Sequence, residues 1–325
     1  MSQKTNLAYT INEKHYKTGV LIKMLEKGIS NFRINLGRTD SDISKKICDF
    51  LKNKAADMEC DITIELDLPG AKGRILLNQE LYVDKNQIIT MSAKHDGNST
   101  IATDAEWLVE LLCENDCVRL GRKGAKGIVQ SIEDGVIFFQ IVQSGKLSNK
   151  DLILVENRPI PLPYLTKKDE IIMEQICDYD FNYLAVSFSQ SEEQIESIRL
   201  KFCELRGKND VKFIAKIEEP MGMTNYQEIL TAADGIMIGR GDMSEYVGMV
   251  RTNMFIDSVL RDWKPGKELM LASYYFLDFL NERGVVDPCL YTQDRPFLTY
   301  FITDESSYHD WEKINEIYTK GLCDE

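Results

Sequence analysis

Residues 213–243 read FIAKIEEPMGMTNYQEILTAADGIMIGRGDM, and they contain two short apolar runs that each end in charged residues. Lys216 and Glu218 lie at the end of the first run, and Asp242 follows the second. Because alternate residues of a strand point to the same side, the Lys216 and Glu218 side chains are expected to project together. The helical pattern at 224–232 between the two runs indicates a strand–helix–strand unit, whose strands pair in parallel.

The same alternation extends along most of the chain. Segments with apolar residues at i, i+3 and i+4, the pattern of amphipathic helices, separate short apolar runs. The runs lie at residues 8–11, 31–35, 62–66, 183–188, 213–217, 235–239, 269–273 and 299–303. The helical segments include 17–28, 41–54, 168–179, 191–206, 224–232, 252–262 and 309–321. Strands separated by helices in this way favour an α/β fold, a closed (β/α)₈ TIM barrel rather than an open doubly wound sheet.

One interval, residues 74–158, departs from this alternation. The helical pattern is lost there, and residues 128–145 predict a hairpin with its turn at Asp134–Gly135. The sequence therefore predicts a small β-barrel lid domain inserted after the third barrel strand, at the face where barrel loops carry chemistry. The predicted division is 1–73 for the first part of the barrel, 74–158 for the lid and 159–325 for the remainder of the barrel.

Composition limits the partners that the protein can have. The chain has 325 residues, of which 43% are hydrophobic and 28% charged, and its net charge is −13. An acidic chain is not expected to bind nucleic acid or an anionic membrane surface, since either partner needs a basic field. No apolar run approaches the length of a membrane span, and the N-terminus lacks the apolar core of a signal peptide. We expect a cytoplasmic protein that acts on small molecules, and a homo-oligomer is compatible with the sequence.

The charged residues at the two strand ends predict a metal site. In a barrel the carboxyl ends of neighbouring strands meet on one rim, so Glu218 and Asp242 are expected to converge with Lys216 beside them. Two carboxylates on adjacent strands can hold a hard divalent cation, Mg²⁺ or Mn²⁺, which keeps its other positions for water and substrate oxygens. The lysine would supply positive charge where an enolate or a transferring phosphoryl group becomes negative.

The segment 213–243 resembles the signature region of the pyruvate kinase family, in which a lysine and a glutamate end strand five and Ala/Gly-Arg-Gly-Asp closes strand six. Further similarities follow in the family order at NFRINLGRTDSD (31–42), LDLPGAKGRI (66–75), LPYLTKKDEIIMEQICDYDFNYLAVSFSQS (162–191), LMLASYYFLDFL (269–280) and FITDES (301–306). The resemblance implies a barrel with an inserted domain that acts on phosphoenolpyruvate or pyruvate.

The resemblance also implies roles for individual residues. Lys216 is similar to the lysine that stabilises the phosphoryl group and the enolate during transfer. Glu218 and Asp242 are similar to the two carboxylates that hold the divalent metal. Arg33 matches the arginine that contacts the phosphate being moved.

A second set of matches concerns substrate binding. Ser273 takes the place of the threonine near the methylene carbon of the enolate, and this exchange keeps a hydroxyl group. The main chain around Gly241–Asp242 would receive the substrate carboxylate, and Arg74 would belong to the same substrate-binding set.

Monovalent cations are a point on which the chain departs from part of the family. In potassium-dependent members an asparagine, a serine and an aspartate bind the ion; Asn35 and Asp67 match two of them, whereas Gly37 stands in place of the serine. Lys72 occupies a position that is glutamate in potassium-dependent members and lysine in potassium-independent ones. An ammonium group there can replace the ion electrostatically, so the resemblance implies that K⁺ is not required.

The nucleotide end of the site departs further from the family pattern. After its first strand the chain reads TINEKH (10–15) where the family usually has Thr-x-Gly-Pro-Ala-Ser, and Arg38 replaces a histidine. Lys150 is the one counterpart found for the lysine-glycine motif of the insert, and Tyr274 stands where a smaller polar residue is expected. We expect Arg38, Lys150 and Tyr274 to contact the nucleotide or another acceptor.

Three functions remain open at this point. The first is a pyruvate kinase-like phosphotransferase, which moves a phosphoryl group between phosphoenolpyruvate and ADP or another acceptor with the help of a metal. The second is a metal-dependent lyase or aldolase of pyruvate or another 2-oxo acid, and the third is a non-catalytic phosphoenolpyruvate sensor. Family members continue into a further α/β domain that carries effector binding and subunit contacts; this sequence ends at GLCDE (321–325), so no effector control through that domain is expected.

Overall fold

The computed structural model describes residues 6–93, 99–121, 124–263, 266–273, 298–302 and 308–320. The chain divides into two compact units. The first contains the residues up to Gly70 together with those from Tyr164 onward, and the second is Ala71–Pro163.

The described strands are, in chain order, β1 (Asn6–Ile11), β2 (Asn31–Asn35), β3 (Thr63–Asp67), β4 (Ile75–Leu76), β5 (Leu81–Val83), β6 (Ile88–Ser92), β7 (Ile101–Thr103), β8 (Cys117–Leu120), β9 (Ala125–Glu133), β10 (Val136–Gln143), β11 (Gly145–Leu147), β12 (Ile153–Val155), β13 (Tyr183–Val186), β14 (Lys212–Ile217), β15 (Gly235–Gly239), β16 (Glu268–Ser273) and β17 (Leu298–Ile302). The described helices are α1 (Glu13–Lys17), α2 (Val20–Glu26), α3 (Ser41–Asp57), α4 (Glu106–Leu111), α5 (Lys167–Ile176), α6 (Glu192–Arg206), α7 (Pro220–Ala232), α8 (Arg240–Asp262) and α9 (Trp311–Lys320).

Eight parallel strands of the first unit close into a barrel, in the order β1-β17-β16-β15-β14-β13-β3-β2. Every neighbouring pair is parallel, including β1 with β17, which closes the circle. Each of the eight predicted apolar runs overlaps one of these strands. Because all eight strands run the same way, their carboxyl ends lie on one rim, which is where Lys216 and Asp67 are found.

The side chains of the barrel strands alternate between two apolar layers. Residues such as Phe32, Ile34 and Ile236 belong to the large core that includes the buried faces of the surrounding helices. Residues of the other parity form a separate small cluster inside the barrel, made by Ala8, Ala185, Ile214, Met237 and Met270. This alternation is what the strand period of two dictates, and on β1, β2, β3 and β14 polar residues occupy the last inward-facing positions.

Capping residues begin the helices that follow the barrel strands. Asp40 caps α3, Thr166 forms a capping box with Asp169 in α5, and Ser191 caps α6. Glu219 caps α7, whose first position is Pro220. Each cap satisfies main-chain N–H groups that have no partner within the helix, and each therefore fixes the point at which the chain turns away from the rim.

Two helix predictions need correction. The predicted helix at 17–28 is shorter in the structure, where α2 covers Val20–Glu26, and a separate short helix, α1, precedes it because the chain turns at Gly19, whose φ of 72° is left-handed. The predicted helix at 252–262 is the second part of α8, which begins at Arg240 directly after β15 and is interrupted at Gly248 (φ 80°, ψ 158°). Glycine permits both breaks, and the apolar periodicity did not reveal them.

The second unit is mainly antiparallel sheet. Seven strands pair in the order β12-β8-β9-β10-β6-β7-β4, and β11 pairs with β5 in a separate two-stranded sheet. The two edges of the larger sheet meet, because an isolated bridge joins Arg74 to Leu152 and the Ile153 N–H donates to the Gly73 carbonyl at 3.0 Å. A separate apolar core, which includes Ile75, Val129 and Phe139, lies in this unit.

The hairpin predicted in this unit is confirmed. β9 and β10 pair around Asp134 and Gly135, which both have the positive φ values that a tight hairpin turn requires. The expectation that the interval contains no helix is wrong, because α4 covers Glu106–Leu111. That segment, EWLVEL, is too short for its apolar periodicity to separate helix from strand. Within the described part of the chain, no helix is long and apolar enough to cross a membrane.

Candidate active site

Lys216 is the centre of a buried polar cluster at the carboxyl rim of the barrel. It lies near the end of β14 and only 4% of it is exposed. Its Nζ donates to Ser187 Oγ at 2.8 Å and lies 3.1 Å from Asp67 Oδ1 and 3.1 Å from Glu218 Oε1. Burial alone would lower the pKa of Lys216, but the charges of Asp67 and Glu218 outweigh it and raise the pKa above its ordinary value.

Arg33 approaches the same cluster from β2. Its Nη2 is paired with Asp67 Oδ2, and its Nη1 donates to Thr10 Oγ1 at 2.9 Å. Burial works to lower the pKa of Arg33, and the neighbouring Asp67 and Glu65 carboxylates raise it. Asp67 therefore bridges two cations, Arg33 and Lys216, and its own pKa is lowered because these charges outweigh the effect of its burial.

Glu65 is a second carboxylate of β3 in this cluster. It lies two residues before Asp67, is 1% exposed, and its Oε1 is 3.6 Å from Arg33 Nε. Neither of its carboxylate oxygens makes a hydrogen bond within the described residues. Burial raises the pKa of Glu65 to about 8, although the Arg33 charge acts in the opposite direction. A group with this pKa is mostly protonated at neutral pH.

Glu218 follows β14 and is held from two sides. Its Oε2 accepts a hydrogen bond from the main-chain N–H of Phe188 at 3.1 Å, while Oε1 faces Lys216. Gly239 at the end of β15 leaves room for the carboxylate, since an added Cβ there would lie 2.7 Å from Glu218 Oε1. Glu218 is 2% exposed, so its orientation is fixed by these neighbours.

Asp242 lies in the first turn of α8, which begins directly after β15. It is partly buried, and its charge acts on Lys216 together with that of Glu218. The described residues contain no group of three or more His, Cys, Asp or Glu that could hold a metal. Glu218 and Asp242 supply carboxylate oxygens, the donors that a cation such as Mg²⁺ accepts while water and substrate oxygens fill its other positions.

Most of the chain matches one known protein family. A family model described as pyruvate kinase, barrel domain, matches residues 2–261. The chain belongs to the pyruvate kinase family. Curated relatives include the pyruvate kinase of Clostridium perfringens, 22% identical over 281 residues, which are 85% of this chain and 59% of the relative.

Other relatives are equally distant. The pyruvate kinase of Aeropyrum pernix is 22% identical over 285 residues, which are 88% of this chain and 61% of the relative. The pyruvate kinase of Thermococcus litoralis is 26% identical over 246 residues, which are 74% of this chain and 51% of the relative. The chain thus spans about half to three fifths of the length of the pyruvate kinases it matches.

Four further predicted site residues lie on or near the barrel rim. Asn35 ends β2 opposite Asp67 of β3, and its Oδ1 accepts from the Gly37 N–H at 2.9 Å. Arg38 follows in the next turn and is exposed. Gly241 is the second residue of α8. Ser273 is the last residue of β16 and is in register with Ile302 of β17, while Tyr274 lies outside the described residues.

The remaining three predicted residues belong to the second unit. The guanidinium of Arg74 donates through Nη1 to the main-chain carbonyl of Lys150 at 2.8 Å, so the structure brings these two residues together. Lys150 has a left-handed φ of 69° in the turn before β12. Lys72 is partly buried near the start of the unit.

Sequence reasoning missed four residues of the rim cluster: Thr10, Glu65, Ser187 and Phe188. Strand parity could have found Glu65, because it has the same parity as Asp67 on β3. Thr10 and Ser187 lie at the carboxyl ends of strands, where polar residues of a barrel are candidates for the site. Phe188 contributes a main-chain N–H, which no side-chain pattern reveals.

Proposed function

We propose that the protein is a pyruvate kinase-like phosphotransferase, which moves a phosphoryl group between phosphoenolpyruvate and ADP or another acceptor. The observation that carries the proposal is Lys216, a buried lysine held charged beside Asp67 and Glu218 at the carboxyl rim of the barrel. A site that only bound a ligand would have little need for a desolvated, preorganised ammonium group. Such a group is suited to negative charge that develops during a reaction.

Glu218 and Asp242 would hold the divalent cation, Mg²⁺ or Mn²⁺, which supplies Lewis-acid stabilisation of enolate and phosphoryl oxygens when bound. Lys216 neutralises the phosphoryl group in transfer and the enolate that remains. The main chain at Gly241–Asp242, at the start of α8, receives the substrate carboxylate, since main-chain N–H groups at a helix start attract anions. Ser273 at the end of β16 takes part in delivering the proton to the enolate.

Arg33 can contact the phosphate without leaving its place. A guanidinium carries five N–H donors, and the described contacts with Thr10 and Asp67 use one on each Nη. One N–H on each Nη then remains for phosphoryl oxygens, while Nε faces Glu65. Asp67 and Thr10 thus fix the plane of the guanidinium before substrate arrives, which reduces the ordering that binding requires.

Activity without K⁺ forms part of the proposal. Asp67, which matches a potassium ligand of other family members, already contacts Arg33 and Lys216, and the positive charge around it is supplied by the protein. The role of Lys72, the lid role of the second unit and substrate binding by Arg74 remain predictions. So do the acceptor contacts of Arg38, Lys150 and Tyr274, cytoplasmic localisation and homo-oligomer formation.

The direct test is pyruvate formation from phosphoenolpyruvate with Mg²⁺ or Mn²⁺ and each nucleoside diphosphate, with and without K⁺. We expect turnover with at least one diphosphate and no more than a small effect of K⁺. Absence of turnover with every diphosphate, in protein that binds phosphoenolpyruvate, would exclude the kinase reaction. Metal-dependent cleavage of a 2-oxo acid by the same preparation would favour the lyase or aldolase function instead.

A further inference from the structure

The turn that follows β13 binds Lys216 and Glu218 with three successive residues. The Ser187 hydroxyl accepts from Lys216 Nζ at 2.8 Å, the Phe188 N–H donates to Glu218 Oε2 at 3.1 Å, and the Ser189 N–H donates to the Lys216 carbonyl at 3.0 Å. One side chain and two main-chain groups of neighbouring residues thus hold the end of β14. The central contact is the one made to a carboxylate.

Phe188 makes that contact from an unusual backbone conformation. Its φ is +56°, in the left-handed region that bulky residues rarely adopt, although the residue is only 1% exposed. Such conformations persist only where the surroundings enforce them, and they concentrate at functional sites. Here the left-handed conformation directs the Phe188 N–H towards Glu218 Oε2.

The surroundings of the turn explain why this conformation persists. An added Cβ on Gly70 would lie 2.6 Å from Ser187 Cβ, and one on Gly222 would lie 2.5 Å from the Ser189 carbonyl oxygen. The Ser189 hydroxyl also donates to the Val186 carbonyl at 2.9 Å. Two glycines therefore allow neighbouring segments to pack tightly against both ends of the turn, which leaves its centre little freedom.

The Phe188 ring connects the turn to the helix that carries the second carboxylate. It packs against Tyr246 in an edge-to-face arrangement, with ring centroids 6.4 Å apart. Tyr246 lies one helical turn after Asp242 in α8. Phe188 thus contacts Glu218 through its main chain. Through its ring it contacts the first part of α8, the helix that carries Asp242.

We propose that Phe188 is a positioning residue for the metal site, whose left-handed main chain orients the Glu218 carboxylate and whose ring holds α8 beside it. The inference rests on the proposed function, in which Glu218 and Asp242 hold the divalent cation. Groups that orient metal ligands commonly change metal affinity by roughly ten- to a hundred-fold when they are altered.

The test compares Phe188→Asn with Phe188→Val, two variants that both lack the ring. Asparagine adopts the left-handed conformation readily, whereas a β-branched residue there is an outlier. Valine is the better residue for a buried apolar position, so a role in packing alone would favour Phe188→Val. We expect the opposite order in metal binding: Mn²⁺ affinity, measured by electron paramagnetic resonance, should be roughly tenfold lower in Phe188→Val than in Phe188→Asn.

A control variant separates the two contacts of Phe188. Tyr246→Leu keeps the main chain of residue 188 and removes the partner ring, so it should weaken Mn²⁺ binding less than Phe188→Val does. Circular dichroism and thermal unfolding establish that each variant is folded. Equal Mn²⁺ affinity in folded Phe188→Asn and Phe188→Val would overturn the proposed role of the left-handed main chain.

A measurement on the otherwise unaltered chain keeps the inference testable if the valine variant does not fold. The amide resonance of residue 188 should shift upfield in Glu218→Gln, because a charged acceptor is replaced by a neutral one. An unchanged resonance would contradict the hydrogen bond and with it the inference. If the wild type bound no Mn²⁺ while this resonance shifted, the metal site of the proposed function would fail, and the positioning of Glu218 by Phe188 would stand.

Discussion

At the scale of single residues, the rim cluster is defined by an excess of buried carboxylates over cations. Glu65, Asp67 and Glu218 surround Arg33 and Lys216, and all five residues are at most 6% exposed. Desolvation is too costly for every carboxylate to remain charged. The pKa of Asp67, which contacts both cations, is lowered, whereas that of Glu65 is raised to about 8. Of the two carboxylates of β3, Glu65 therefore holds a proton more readily than Asp67.

The charge of Lys216 can be tested separately from metal binding. Lys216→Met should abolish phosphoryl transfer, because the ammonium group that stabilises the moving charge is lost. Mn²⁺ affinity should persist or increase, since Glu218 loses a neighbouring cation. The matched control is Lys212→Met on the same strand, whose Nζ instead contacts Glu268 Oε1 at 2.9 Å. Steady-state kinetics and Mn²⁺ titration of both variants test the role of Lys216 in phosphoryl transfer. Residual turnover in Lys216→Met would contradict that role.

The proton on Glu65 predicts a pH dependence of stability. The folded pKa of about 8 lies above the ordinary value of 4.5, so between these values the folded state binds more protons than the unfolded state. The free energy of unfolding of the wild type should therefore fall as pH rises from about 4.5 to about 8. Glu65→Gln removes this dependence, which is worth on the order of a few kcal/mol.

Thermal or urea unfolding across this pH range measures the effect. Arg33, Asp67 and Lys216 are the charged groups that act on Glu65, and none of them is altered in the variant. Glu196→Gln, at an exposed position on α6, is the control and should follow the wild type. Parallel pH profiles for the wild type and Glu65→Gln would show that Glu65 is not protonated in the folded state.

At the scale of elements, α8 is the helix that connects the site to the outer layer. It starts at the end of β15, carries Asp242 in its first turn, and changes direction at Gly248. An added Cβ on Gly248 would meet nothing within 4 Å, so only its left-handed backbone requires glycine. The break allows the part of the helix after Gly248 to pack on the core without moving Asp242.

Replacement of Gly248 tests this interpretation. Gly248→Ala should lower the free energy of unfolding by about 1–3 kcal/mol, because a positive φ combined with ψ 158° is a conformation that few residues other than glycine adopt. Gly207→Ala at the end of α6 is a matched control, because Gly207 also has a positive φ and open space around it. Gly207→Ala should lose less stability, because Gly207 has the milder left-handed conformation (φ 69°, ψ 10°), and only Gly248→Ala should weaken Mn²⁺ binding. Equal Mn²⁺ affinity in the two variants would show that the break at Gly248 does not affect the metal site.

The elements also show what the sequence could and could not predict. Strand parity was sufficient to bring Lys216 to Glu218, because the relative positions of these residues are fixed by the period of one strand. The same reasoning did not find the contact of Phe188, because the direction of a main-chain N–H depends on a local φ that the residue type disfavours. The helix breaks at Gly19 and Gly248 were not predicted for a related reason, since glycine is compatible with both helix and turn.

At the scale of the whole molecule, the second unit is expected to fold by itself. Residues 71–163 contain a separate buried core and a sheet whose two edges are joined by main-chain hydrogen bonds. We predict that this segment, expressed alone, gives a β-type circular dichroism spectrum and a cooperative unfolding transition. Phe139→Ala within it, a fully buried position, should cost about 3–5 kcal/mol.

The outcome that contradicts this prediction is an isolated segment without a cooperative transition. The stability of residues 71–163 would then depend on the rest of the chain. A segment that folds but is unaffected by Phe139→Ala would instead contradict the packing of its core.

Closure of the barrel has a consequence for synthesis on the ribosome. β1 pairs with β17, and their partners Asn6 and Thr299 are separated by roughly 290 residues of chain. At ribosomal speeds β1 therefore remains unpaired with β17 for on the order of tens of seconds. The strands of the second unit, in contrast, emerge close together in time and can pair early. During that interval an unpaired edge of the nascent barrel is exposed, and we expect this period to be when the protein depends most on chaperones.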